Sequence, residues 1–266
     1  MKEITLGQYY PSGSLIHRLD PRVKLLATLI YIVTLFICPK WQGVFISALW
    51  LVTIIRISKV PFLYMARQLK VVIVVLAIAS VFNLFLTDGE ALVQLGRFSI
   101  TKEGIWQAFF IAVRLIMLVM GTSLLTFTST PNELTDGMET GLRFLKKIRV
   151  PVHEVAMMMS IALRFIPTLI EETDKIMSAQ KARGATLDSG DLMSRVRALV
   201  PILIPLFVSA FRRAEELATA MECRCYRGGE GRTRLRQLKA ESRDYIGFAI
   251  CLLFMAASVT VNILLK

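Results

Sequence analysis

Five apolar stretches, separated by clusters of charge, set what this chain can become. They cover residues 23–37, 41–57, 71–87, 104–127 and 245–265. Hydrocarbon offers a backbone no hydrogen-bond partners, so such stretches cross a bilayer only with every N–H and C=O paired internally. A helix of about 17–25 apolar residues does this. The first two stretches lie near the lower end of that range. Only Cys38-Pro39-Lys40 separates them, so they read as a tight helical hairpin. Composition agrees: 55% of residues are hydrophobic and 20% are charged, against about 45–50% and 25% in soluble domains. The expected class is an all-α integral membrane protein with about five transmembrane helices.

The net charge is +12. Its Lys and Arg sit at the edges of the apolar stretches, which is the positive-inside bias of a membrane protein and not a nucleic-acid surface. The leader (residues 1–22) and the loop carrying Arg56, Lys59, Arg67 and Lys70 are basic and belong in the cytoplasm. That puts the N-terminus inside, the 88–103 loop outside, and the C-terminus outside after the last span. Within 88–103, Gly96-Arg97-Phe98 suits the turn of a short hairpin or a re-entrant piece. Arg114, inside the fourth stretch, must face protein or water. The expected organisation is a four-span membrane domain over 1–129, a cytoplasmic section over 130–244, and a final span over 245–266.

From residue 130 the pattern changes to charges set among apolar residues at helical spacing. Three helices are expected. The first covers 131–149, opened by Thr130-Pro131 as N-cap and first-turn proline. The second covers 152–183 and is interrupted at Pro167. The third covers 191–224 and contains Pro201 and Pro205. Residues 157–169 and 200–208 are apolar but short of a span, and read as faces packed beneath the bilayer or against each other.

An internal repeat ends the last two of these helices. Residues 174–183 align with 215–224 at an offset of 41. Asp174 matches Glu215, Ile176 Leu217, Ser178 Thr219, Ala179 Ala220 and Arg183 Arg224. Each copy closes on an arginine between small residues: Ala182-Arg183-Gly184 and Cys223-Arg224-Cys225. Ordinary helix-end chemistry is one reading, since a cation in the last turn complements the helix dipole and glycine stops the helix. The other is a pair of docking tips. An arginine left free by small neighbours can fork onto a carboxylate in a partner's groove, and two matching copies fit two equivalent partners.

Catalytic signatures are absent. His17 and His153 have no metal spacing, and the four cysteines (Cys38, Cys223, Cys225, Cys251) form no four-ligand set. Residues 228–233 lack the first glycine and the lysine of a phosphate loop. No cleavable signal peptide is visible.

Leu19-Asp20-Pro21-Arg22-Val23-Lys24-Leu25-Leu26, Ala182-Arg183-Gly184, and the run from Ala220 through Arg224 to Thr233 resemble the transmembrane T component of energy-coupling factor (ECF) transporters. The likeness extends from about residue 5 to the C-terminus. One departure stands out: the family's second motif is usually Ala-Arg-Gly, and here cysteines flank Arg224. The resemblance implies a non-catalytic subunit of an ATP-driven importer of vitamins or other micronutrients. It implies two ABC ATPases as partners, a heterodimer, which bind the ATP and Mg while this chain binds no cofactor. It also implies one small, exchangeable S component that captures the substrate, with Arg183 and Arg224 each entering one ATPase. Pro167, Pro201 and Pro205 would break the coupling helices so that they cross beneath the membrane. A conventional ABC permease, a membrane-embedded enzyme and a scaffold without transport are the competing classes.

Overall fold

The computed structural model describes residues 9–38, 40–86, 91–95, 98–185, 191–229, 238 and 240–264. They fold as two compact units, one from 7–141 with 237–266 and one from 142–236.

The first unit is the membrane unit. Its helices are α1 (Pro21–Ile37), α2 (Trp41–Ser58), α3 (Phe62–Leu86), α4 (Lys102–Thr128), α5 (Pro131–Gly141) and α8 (Ser242–Leu264). Between α3 and α4, β1 (Ala91–Leu95) and β2 (Phe98–Thr101) pair antiparallel, with Leu95 opposite Phe98. Within the 88–103 segment the described strands thus pair as the expected hairpin; residues 88–90 and 96–97 lie outside the described residues. Among the described residues every other element is a helix. The expected apolar stretches become α1, α2, the second part of α3, α4 and α8. α3 starts earlier than expected, at Phe62, and bends by 59° between Phe62–Lys70 and Val72–Leu84. Its basic first part thus runs in a different direction from its apolar second part.

The core of this unit joins Tyr31 and Leu35 of α1, Leu51 of α2, Met65 of α3, Met120 and Leu124 of α4, and Phe254 of α8. The Phe254 ring stacks on Trp50 at 4.7 Å between centroids. Gly121 lets α4 approach the Tyr31 ring so closely that a Cβ there would overlap it. The Tyr31 hydroxyl donates to the Met117 carbonyl at 3.3 Å, which settles its one polar atom inside an apolar core. Outward faces are apolar as well: Phe45, Leu49 and Val52 on α2, and Val74, Ile78 and Val81 on α3, are all more than half exposed. An apolar surface of this kind is soluble only in lipid.

By length and composition α2, α4, α6 (Val152–Ala182), α8 and the bent α3 are all capable of crossing a membrane. α1 has 17 residues, the short limit for a span. α6 is the unexpected member. Its apolar window is longer than 157–169 because the helix is unbroken through Pro167.

α5 ends at Gly141, short of the expected 149. Its start is a capping box: the Thr130 N–H donates to Glu133 Oε2, and the Glu133 N–H donates to Thr130 Oγ1. Gly137 and Gly141 weaken it toward its end. A 3₁₀ helix, Leu142–Ile148, follows, and Arg149 turns left-handed at φ 62° before Val150-Pro151.

The second unit holds that 3₁₀ helix, α6 and α7 (Leu192–Cys223). α6 continues through Pro167, and α7 through Pro201 and Pro205, without ending at any of them.

Candidate functional site

The two arginines of the repeat occupy the same structural position. At the end of α6, Arg183 is the C-cap and Gly184 is left-handed at φ 87°. The Ala185 N–H donates to the Gln180 carbonyl at 3.0 Å and the Gly184 N–H to the Lys181 carbonyl at 3.0 Å. These six-to-one and five-to-two bonds form a Schellman motif. α7 ends the same way, 41 residues on. The Tyr226 N–H donates to the Met221 carbonyl at 3.1 Å, and the Cys225 N–H to the Glu222 carbonyl at 2.8 Å. Arg224 sits where Arg183 sat, and Cys225 is left-handed at φ 54°. The cysteine after Arg224 thus adopts the conformation that Gly184 takes without strain. A non-glycine residue there costs about 1–2 kcal/mol.

The motifs turn the chain sharply and leave their arginines outside it. Ala182, Arg183 and Gly184 are exposed, as are Cys223, Arg224 and Cys225. Among the described residues neither guanidinium has an ion-pair partner. Past the second tip, Gly229 lies against the His153 ring at the start of α6, where a Cβ would overlap it. Residues 230–233 of the loop compared with a phosphate loop lie outside the described residues.

α6 and α7 run antiparallel. Glu172 pairs with Arg213 at 3.3 Å, and Gln180 Nε2 donates to the Pro201 carbonyl at 3.3 Å. The second bond explains one of the prolines. Pro205 has no N–H, so the carbonyl four residues earlier, that of Pro201, loses its helical donor. Gln180 supplies the missing one from the neighbouring helix. The antiparallel course places the Arg183 tip beside the Pro201 turn of α7. Arg224 lies 23 residues farther along α7, a separation of roughly 35 Å at 1.5 Å per residue. One helix pair therefore presents two equivalent arginine tips at its opposite ends. Near its middle α7 exposes Ile204, Phe207, Val208 and Phe211, each more than half accessible.

The Asp20-Pro21-Arg22-Val23-Lys24 run has a role in the membrane unit that reading it alone did not give. Asp20 caps α1 by accepting from the Arg22 N–H at 2.9 Å, with Pro21 in the first turn. The Asp20 N–H donates to Asp244 Oδ1 at 2.8 Å, and Asp244 Oδ2 accepts from the Glu241 N–H at 2.8 Å. One buried carboxylate thus serves the N-termini of α1 and α8, where helix dipoles favour negative charge. Lys24 Nζ donates to the His17 and Thr128 carbonyls at 2.9 and 2.8 Å, tying the leader and the end of α4 to α1. The Arg22 guanidinium donates to the Leu238 carbonyl at 3.3 Å. The Asp-Pro pair signals a helix start; nothing local signals Asp244, 224 residues away.

Among the described residues no three His, Cys, Asp or Glu side chains gather in a metal-holding group. All four cysteines are free, Cys38 and Cys251 buried and Cys223 and Cys225 exposed.

By its membrane-capable helices the chain is a multi-span membrane protein, with two like-capped arginine tips on one helix pair. Comparison with known proteins gives its family. The family model described as "CbiQ: Cobalt transport protein" matches residues 12–235. Proteins named energy-coupling factor transporter transmembrane protein EcfT are similar over nearly the whole chain. That of Clostridium kluyveri is 53% identical over 97% of this chain and 97% of its own. That of Thermosediminibacter oceani is 49% identical over 97% and 98%, and that of Bacillus subtilis 46% over 92% of each. The chain belongs to this family, the transmembrane components of ECF transporters.

Proposed function

We propose that this chain couples two ABC ATPases to a substrate-binding S component, with Arg183 seated in a groove of one ATPase and Arg224 in a groove of the other. The observation that carries the reading is the identity of the two tips: the same Schellman closure, the same exposed C-cap arginine, at opposite ends of one antiparallel pair. Helix-end chemistry accounts for one such tip. Two with matched hydrogen bonds, both arginines unpaired, fit two homologous grooves lined by carboxylates. A heterodimer of ATPases offers two such grooves that are alike without being the same.

In this reading ATP and Mg bind to the ATPases, and this chain is non-catalytic and binds no cofactor. The 130–244 section lies in the cytoplasm with the leader, the C-terminus lies outside, and residues 1–129 and 245–266 are the membrane-embedded parts. The apolar stripe from Ile204 to Phe211 faces the small, exchangeable S component, which selects a vitamin or another micronutrient. ATP binding draws the ATPase grooves together. Because each groove holds one end of the α6/α7 pair, the crossing of the pair must change, and the stripe changes with it. Such coupling requires contacts that differ between the two states. Gln180 on the Pro201 carbonyl and Glu172 on Arg213 are the links that the crossing would strain.

The test is Arg183→Glu combined with Arg224→Glu. The double variant inserts in the membrane but loses the ATPases on purification, and each single variant retains part of the association. Normal co-purification of both ATPases with the double variant overturns the docking role.

A further inference from the structure

The 3₁₀ segment after α5 is a surface that the coupling role does not use. Every residue from 141 to 150 whose exposure is described is exposed. It carries Arg143, Lys146, Lys147 and Arg149 and no acidic residue. In a 3₁₀ helix residues three apart eclipse one another. Arg143 and Lys146 therefore line up on one edge, and Arg149 follows in the left-handed turn that ends the segment. Leu142 and Ile148, two turns apart, share a second edge, and Phe144 and Lys147 share the third. Ile148 is 71% and Phe144 61% exposed. A basic edge beside an apolar one is the arrangement of a segment that lies in a lipid interface, with apolar side chains among acyl chains and cations among headgroups.

The chain also holds the segment close to a membrane. It follows directly on α5, which belongs to the membrane unit and packs Gly137 against Pro21 at the start of α1. α5 is 11 residues long, so residue 142 lies within roughly 27 Å of the end of α4. At that reach the local concentration of bilayer surface is high.

We infer that residues 142–150 form an interfacial anchor that binds anionic phospholipid on the cytoplasmic leaflet. The inference rests on the orientation proposed above, in which α4 ends inside. Each basic residue near an anionic surface favours binding about fivefold. Removing three of them lowers the local partition roughly a hundredfold.

The experiment uses the full chain, with its ATPases, in nanodiscs of phosphatidylglycerol and phosphatidylcholine. The emission added by Phe144→Trp is obtained by subtracting the parent protein. It is expected to be blue-shifted, quenched by brominated acyl chains and protected from aqueous iodide. That lipid quenching is lost in discs of phosphatidylcholine alone, and when Arg143→Gln, Lys146→Gln and Lys147→Gln are added. Emission open to iodide and indifferent to lipid composition overturns the anchor. Emission shielded from both quenchers only while the ATPases are present also overturns it, and assigns the surface to a protein. ATPase co-purification is scored in every sample, so failure of the docking reading shows separately from failure of the anchor.

Discussion

Replacing Asp244 with alanine removes the one carboxylate that holds the starts of α1 and α8 together. It accepts two backbone hydrogen bonds, from Asp20 and Glu241, each at 2.8 Å. Bonds to a charged acceptor contribute about 1.5–3 kcal/mol each. The two losses are unequal. Glu241 is exposed, so water replaces the carboxylate on its N–H; Asp20 is 8% exposed, so its N–H stays buried without a partner. The loss is therefore about 3 kcal/mol, mostly from the Asp20 side. Asp244→Asn keeps one acceptor oxygen and loses about half as much. The assay is built into the fold. Cys251 on α8 contacts the Ala27 carbonyl of α1, and Cys38 after α1 contacts the Ser258 carbonyl of α8. Both thiols are 1% exposed. With Cys223 and Cys225 blocked first in the native state, labelling by a fluorogenic maleimide on heating reports the parting of α1 from α8. The midpoint should fall by roughly 6–12 °C in Asp244→Ala, taking about 2–4 °C per kcal/mol. A midpoint within 2 °C of the parent would refute the clasp.

Three further outcomes follow from the same geometry. Lys24→Met leaves the His17 and Thr128 carbonyls without their donor and costs about 2–3 kcal/mol, lowering the same midpoint by roughly 4–12 °C, whereas an unchanged midpoint means the leader is held elsewhere. Gly121→Val drives a side chain into the Tyr31 ring and costs about 1–3 kcal/mol of overpacking, read as early exposure of the buried thiols. Cys225→Gly removes a left-handed cysteine and stabilises the second tip by about 1 kcal/mol. This appears as slower hydrogen exchange at the Tyr226 amide, and faster exchange would contradict the assignment of strain.

The membrane-crossing elements were legible because the bilayer permits so few solutions. An apolar stretch of span length is a helix there, and Asp20-Pro21 marks where one starts. The repeat was legible as a repeat, and its arginines fell at matched positions because dipole, glycine and small residues all mark a helix end. The shared Schellman closure was not legible: Cys225 gives no sign of a left-handed backbone, and only the fold shows it replacing a glycine. α5 ends eight residues before its sequence pattern does, because Phe144, Ile148 and the basic residues keep a helix-like pattern past Gly141. Periodicity reports amphipathic character; it does not distinguish an α-helix from a 3₁₀ turn. α6 passes as membrane-capable because it continues through Pro167 as one helix, so its apolar window extends beyond residues 157–169. The contacts of Asp244 with Asp20 and of Gln180 with Pro201 were closed to sequence reading. Both depend on which helices meet, and a single chain carries no local trace of that.

The most direct test of the coupling role is the composition of the assembled transporter. This chain, tagged and expressed with two ABC ATPases and an S component, is purified in mild detergent and its complex weighed by native mass spectrometry. The account predicts one copy of this chain with two ATPases and one S component. Two copies of this chain with two ATPases and no small membrane partner would contradict it, and would leave the paired tips at Arg183 and Arg224 without the two grooves they are proposed to fill.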